Sequence, residues 1–176
     1  MNNLLNRIAR ALRLDPGLYE EVERDRNAMG QAMLVVVLSA VAAGIGMYSD
    51  SSLLGLIGDI IIALIGWFLW AYIAFFIGTQ VLPEPTTRAD HAELLRTTGF
   101  ASSPGIIRIL GVIPGICILV SIVANIWMIL AMVVAVRQAL DYRSTGRAVL
   151  VCIIGWLVYG LVNVLIYFIT FGTLSL

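Results

Sequence analysis

The chain has 176 residues, 60% hydrophobic and 12% charged, with a formal net charge of zero. A soluble domain is about half apolar and about a quarter charged, so this balance indicates membrane spans, and the zero net charge gives no electrostatic case for a nucleic-acid partner. All 11 basic residues are Arg, a usage that fits a GC-rich bacterial genome.

Residues 1–27 read as a cytoplasmic amphipathic and charged segment ahead of a membrane domain at 28–176. The first apolar run starts at Ala28, behind mixed charge, and is too long for a signal h-region, so it is expected to stay as an anchor. In NNLLNRIARALRL, Leu4, Leu5, Ile8, Ala11 and Leu12 share an arc of about 120°, with Arg7, Arg10 and Arg13 on the other side. That pattern predicts an interfacial helix with its three arginines on anionic lipid head groups; packing on the protein's own loops would produce the same stripe. Asp15-Pro16 predicts a new helix start, running through LYEEVERDRN and on into the first span. Glu20, Glu21, Glu23 and Asp25 are expected on a solvated face, paired with Arg24, Arg26 or loop arginines, with a partner or a metal as the alternative.

A span needs about 20 apolar residues. Ala28–Met47, Leu53–Leu82 and Ala148–Phe171 each suffice. Gly105–Val136 is ambiguous, because one helix of that length would reach about 48 Å. It holds Pro114-Gly115, a turn-favouring pair. Arginine placement supplies a second test, since cytoplasmic loops collect positive charge. Two crossings with a turn at Pro114-Gly115 put Arg88 and Arg96 on the same side as Arg137, Arg143 and Arg147; one crossing does not. The loop Tyr48–Ser52, without Arg, then faces outside. The expected fold is therefore an all-α polytopic bundle of five spans, at about 28–48, 53–82, 90–113, 115–136 and 148–171, N-terminus cytoplasmic and C-terminus outside. Gly105–Ile113 is too short alone, so the third span is expected to begin near Asp90 and break around Gly99–Pro104. Arg108 would then sit part-way in, snorkelling or paired with an acid.

Small residues mark packing faces in membrane helices. Ala32, Ser39, Ala43 and Gly46 form one stripe; Gly55, Asp59, Ala63 and Gly66 a second; Ser121, Asn125, Met128 and Met132 a third; Cys152, Gly155, Tyr159, Asn163 and Thr170 a fourth. Asp59 stands out, since a carboxyl within a span is a functional candidate. Asp59, Asn125 and Asn163 are expected to converge, for proton, ion, lipid or solute handling or as structural glue. Cys117 and Cys152 fall near opposite faces and should not pair. His91, in a charged loop, is expected to be solvated. No catalytic motif, metal-ligand spacing or cofactor fingerprint is present. GLIGD (Gly55–Asp59) faintly matches the intramembrane aspartyl protease motif but has no second intramembrane Asp to complete a dyad.

Three stretches carry a resemblance: DPGLYEEVERD (Asp15–Asp25), LLRTTGFASSPGIIRILGVIPG (Leu94–Gly115) and the tail VRQALDYRSTGRAV (Val136–Val149) before a last apolar helix. The chain resembles the Yip family of five-span membrane proteins, in its bacterial branch. The resemblance implies five helices, a cytosolic N-terminus, no enzymatic activity and membership of complexes; eukaryotic members bind prenylated Rab-type GTPases. The expected role is a scaffold or adaptor in the bacterial inner membrane, contacting the bilayer and a protein partner or a second copy. Its partner-binding candidates are Glu20, Glu21, Glu23, Arg137, Asp141, Arg143 and Arg147. The alternative is a small transporter, channel or lipid-moving protein built around Asp59, Arg108, Asn125 and Asn163.

Overall fold

Residues 2–47 and 53–171 are described in a computed structural model, and every regular element among them is helical. The helices are α1 (Asn2–Leu12), α2 (Pro16–Arg24), α3 (Ala28–Gly46), α4 (Leu53–Phe76), α5 (His91–Ala101), α6 (Cys117–Ala139) and α7 (Thr145–Phe171). A π-helical turn, Ile77–Val81, extends α4, and a 3-10 helix, Ser103–Val112, follows α5. Among the described residues four helices are long and apolar enough to cross a membrane, beginning at Ala28, Leu53, Cys117 and Thr145. The expected loop Tyr48–Ser52, the side chain of Thr170 and the C-terminal end lie outside the described residues.

The helix start at Asp15-Pro16 forms as expected: Asp15 Oδ1 accepts from Gly17 N at 2.9 Å, with Pro16 in the first turn. Continuation into the first span does not. Asp25 caps the C-terminus of α2 and a turn separates it from α3. Arg96 of α5 completes this cap. Its Nε donates to Val22 O at 2.9 Å and its Nη2 to Glu23 O, with only 6% of the residue exposed. A cation there satisfies orphan carbonyls and opposes the negative end of the helix dipole. Tyr19 of α2 is fully buried and its hydroxyl has no hydrogen-bond partner among the described residues. Tyr19→Phe removes an unsatisfied buried group, so it should leave the melting temperature unchanged or raise it; a clear fall would reveal a partner for that hydroxyl.

The third expected span lies at the centre of the bundle. From Leu94 through Gly105 every residue is buried. Its hydroxyls turn back onto their own helix: Thr97 to Glu93 O at 3.0 Å, Thr98 to Leu94 O at 2.5 Å, Ser103 to Phe100 O at 2.7 Å. Polar atoms are thus satisfied without solvent. Asp90 and Glu93 form a capping box at the start of α5. The break expected at Gly99–Pro104 falls at Ser102. Pro104 has no N–H to give an α-helical bond, and a 3-10 helix follows. With about 1.5 Å per α residue and about 2.0 Å per 3-10 residue, the two pieces together have a summed length of about 36 Å.

The small-residue stripe of α3 packs against this segment. A methyl on Gly99 would lie 2.7 Å from Ala32 Cβ; one on Gly105 would strike Ser39 Oγ, and one on Gly46 the Arg108 carbonyl. These partners rise together in number, so α3 and the third segment run parallel. The chain reverses at Gly115, with φ +88, and α6 returns antiparallel: Gly105 faces Met128 and Arg108 bonds Asn125. Cys117 and Cys152 are free, as expected.

Two loops expected on one side are stitched together. Glu84 accepts from Arg143 N at 3.0 Å, Arg147 donates to Pro83 O at 2.9 Å, and Thr86 donates to Asp141 O at 3.0 Å. The Tyr142 hydroxyl reaches Gly78 O and Leu82 O at 2.9 and 2.7 Å, at the π-helical turn. Burial, aided by Glu84, pushes that hydroxyl's pKa up to about 12.

Candidate functional site

Between α3, α4, α6, α7 and the break lies an open-sided cavity of about 810 Å³. Ligand cavities are typically about 300–1,000 Å³. Its two ends differ. Toward the last turn of α3 it is bordered by Met47, Asp59 and Arg108; its far end is formed by Trp67, Trp70, Met132 and Trp156.

Asp59 sits about 9 Å along α4 from Leu53, and forms no hydrogen bond or ion pair among the described residues. One carboxylate oxygen lies 3.9 Å from where a Gly44 methyl would be. The 3-10 helix aims Arg108 at the same cavity. Its Nη2 donates to Asn125 Oδ1 at 2.5 Å, so of the two expectations, snorkelling or an acid partner, the second is not met: the partner is an amide. Acid and base thus line one cavity without pairing with each other.

The far end is apolar because its polar handles are used elsewhere. Trp67 Nε1 donates to Thr98 Oγ1 at 3.2 Å, and Trp70 Nε1 to Met132 Sδ at 3.1 Å. Trp70 stacks on Trp156 with ring centroids 5.7 Å apart. Gly155 admits the Trp70 ring, and Gly66 the Tyr159 hydroxyl, each 2.7 Å from a built methyl.

Of the intramembrane candidates, Asp59 and Arg108 line the cavity and Asn125 holds Arg108. Asn163 does not join them. It is exposed, and its amide donates to Tyr159 O of its own helix at 2.7 Å. Three residues went unnoticed in the sequence: Trp67, Trp70 and Trp156. Their signal was position, since membrane tryptophans gather at interfaces and these lie well inside α4 and α7.

The basic face of α1 is turned inward, and this corrects the expectation of three lipid-facing arginines. Arg7 is 4% exposed and reaches Glu21 at 2.9 Å, Gln31 at 2.8 Å and Asp25 at 2.7 Å. Arg10 pairs with Asp15 at 2.7 Å and with Glu21. Arg13 is the one of the three left exposed. Leu12 O accepts from Trp127 Nε1 at 3.0 Å, which anchors the end of α1 on α6. Glu21 and Asp25 are therefore satisfied by α1, not by Arg24, Arg26 or loop arginines. The Arg10 and Arg7 hydrogen bonds hold the Asp15 and Asp25 carboxyls, respectively, below the usual range. Burial works against the Glu21 charge, but bonds from Arg10 and Arg7 outweigh it.

Among the other partner-binding candidates, Glu20 accepts from Gln138 at 3.0 Å, and Arg137 donates to Tyr142 O and Arg143 O. Arg147 approaches Glu84 at 3.6 Å. Asp141 and Arg143 have exposed side chains. Glu23 differs: burial, with Asp141 and Glu93 nearby, raises its pKa to about 7. A carboxyl whose folded pKa is raised stabilises the fold when protonated, and that stability is lost as pH climbs through the folded value. Melting temperature in detergent should therefore fall between about pH 5 and about pH 8, and Glu23→Gln should flatten that decline. An undiminished decline in Glu23→Gln would place its origin elsewhere.

His91, expected to be solvated, is half-buried against an aromatic cluster: its ring meets Phe68, Tyr72 and Phe75 edge-on, at 5.0, 5.7 and 6.1 Å between centroids, and its Nε2 is buried with no hydrogen-bond partner among the described residues.

A scan against family models matches the Yip1 domain over residues 14–167. The chain belongs to the Yip1 family. Comparison with curated proteins and with solved structures returns no match. The matched Yip1 region begins just before α2 and covers every element lining the cavity; α1 precedes it.

Proposed function

We propose that this Yip1-family chain is a non-enzymatic five-span protein of a bacterial inner membrane that holds an amphiphile in the cavity beside Asp59. The carrying observation is the polarity of that cavity: two opposite charges at one end, neither in an ion pair among the described residues, and an aromatic floor at the other. An amphiphile has the same division, and an open side lets a chain remain in the bilayer. Broken helices at membrane depth often border such sites. The stitching of loop 83–90 to loop 140–147 supports two crossings between them, with a cytoplasmic N-terminus, the cavity's charged end in the outer half and the C-terminus outside. An adaptor role keeps a smaller basis, the exposed Asp141 and Arg143, because Glu21, Arg137 and Arg147 are engaged within the chain.

Gentle purification from native membranes followed by mass analysis tests this. The expected result is a lipid-like molecule in stoichiometric amount, lost in Ala63→Trp, whose ring would fill the cavity. A stoichiometric partner protein with no retained amphiphile would overturn it in favour of the adaptor.

A further inference from the structure

The charged end of the cavity has the chemistry of a receptor for one class of head group. Arg108 carries five N–H donors in a planar fork, and its one hydrogen bond among the described residues is to Asn125. The remainder of that fork matches a phosphate, which guanidinium binds bidentately. Asn125 fixes the guanidinium, so little side-chain freedom is lost on binding. Asp59 is an acceptor-only group with no donor among the described residues. An unpaired carboxylate at that depth is costly, and a cation that also donates hydrogen bonds relieves the cost. The site's charges sum to zero, matching a zwitterion.

We propose that this end of the cavity binds a zwitterionic phospholipid with a primary amine, phosphatidylethanolamine in type. The phosphate lies on Arg108, the ammonium on Asp59, and an acyl chain along Trp70, Met132 and Trp156. A quaternary ammonium offers Asp59 charge but no N–H donor, and an anionic head group offers no cation. Both should bind less well. This selection presupposes the amphiphile-binding role proposed above.

The test uses the full chain in phosphatidylcholine nanodiscs containing equal minor amounts of phosphatidylethanolamine and phosphatidylglycerol, with bound lipid read by native mass spectrometry. Wild type should enrich phosphatidylethanolamine about ten-fold over both others, the scale of one desolvated charge-assisted contact. Asp59→Asn should erase the enrichment while still retaining phospholipid; Arg108→Gln should lower retention of all three. Asp59 has no hydrogen bond or ion pair among the described residues, and a preserved melting temperature checks that Asp59→Asn folds. Wild type that retains phospholipid without head-group preference, or a preference surviving in Asp59→Asn, overturns the head-group assignment alone. Wild type that retains no phospholipid overturns the amphiphile-binding role as well.

Discussion

Arg96→Met is expected to release α2 from the bundle and cost about 3 kcal/mol, the scale of losing charged hydrogen bonds and stranding buried acceptors. The guanidinium of Arg96 is the point where α5, the central helix, holds the end of α2 through Val22 O and Glu23 O. Methionine fills the same space but donates nothing. The effect should spread, because α2 also carries Glu21, which ties down Arg7 and Arg10 of α1. Limited proteolysis between α1 and α3, with a thermal melt in detergent, reads the result. Arg88→Met, in an exposed stretch of the neighbouring loop, should stay within about 0.5 kcal/mol of wild type. Equal protease resistance in Arg96→Met and wild type would show that the cap is dispensable.

Gly46→Val should do more, abolishing a monodisperse purified protein. Gly46 meets the third segment backbone to backbone: a methyl there would drive into the Arg108 carbonyl, and one on Gly111 into the Gly46 carbonyl. Neither backbone can yield as a side-chain tip would, and overpacking of this kind costs about 1–3 kcal/mol or more. The collision also displaces Arg108, so whatever protein survives should lose bound lipid. Gly58→Ala is the control, since a methyl there has nothing within 4 Å; it should behave as wild type. Normal gel filtration of Gly46→Val would mean that the two segments can separate without harm.

Much of the frame was legible in the chain because its causes are local. Apolar run length marked the long helices. Asp15-Pro16 and Pro114-Gly115 act through backbone geometry within a few residues, and both features appear where expected. The break before Pro104 followed from a missing N–H. The α3 stripe was readable too, since close helix approach in membranes demands small residues; what it faced was not, because Gly99, Gly105 and Gly111 meet it from 65 to 67 residues on, at separations that only packing creates.

The candidate site divides in the same way. Asp59 and Arg108 were conspicuous as charges in apolar surroundings, yet their common cavity depends on the 3-10 helix setting Arg108 beside Asn125. Asn163 shared the periodicity of its neighbours, but its amide found a carbonyl on its own helix, one turn back. The amphipathic pattern of α1 located a basic face without saying what would cover it. Arg7 turns inward because folding brings Glu21 and Asp25 of the next helix, and Gln31 of the one after, within hydrogen-bond reach. By itself, then, the sequence determined where α2 starts, where the chain turns at Pro114-Gly115 and where the third segment breaks, and which groups are out of place in a membrane, through steric and solvation rules acting over a few residues. Only the tertiary structure decided which of those groups meet and which are neutralised, because charge pairing and cavity shape depend on distances between helices that no local pattern encodes.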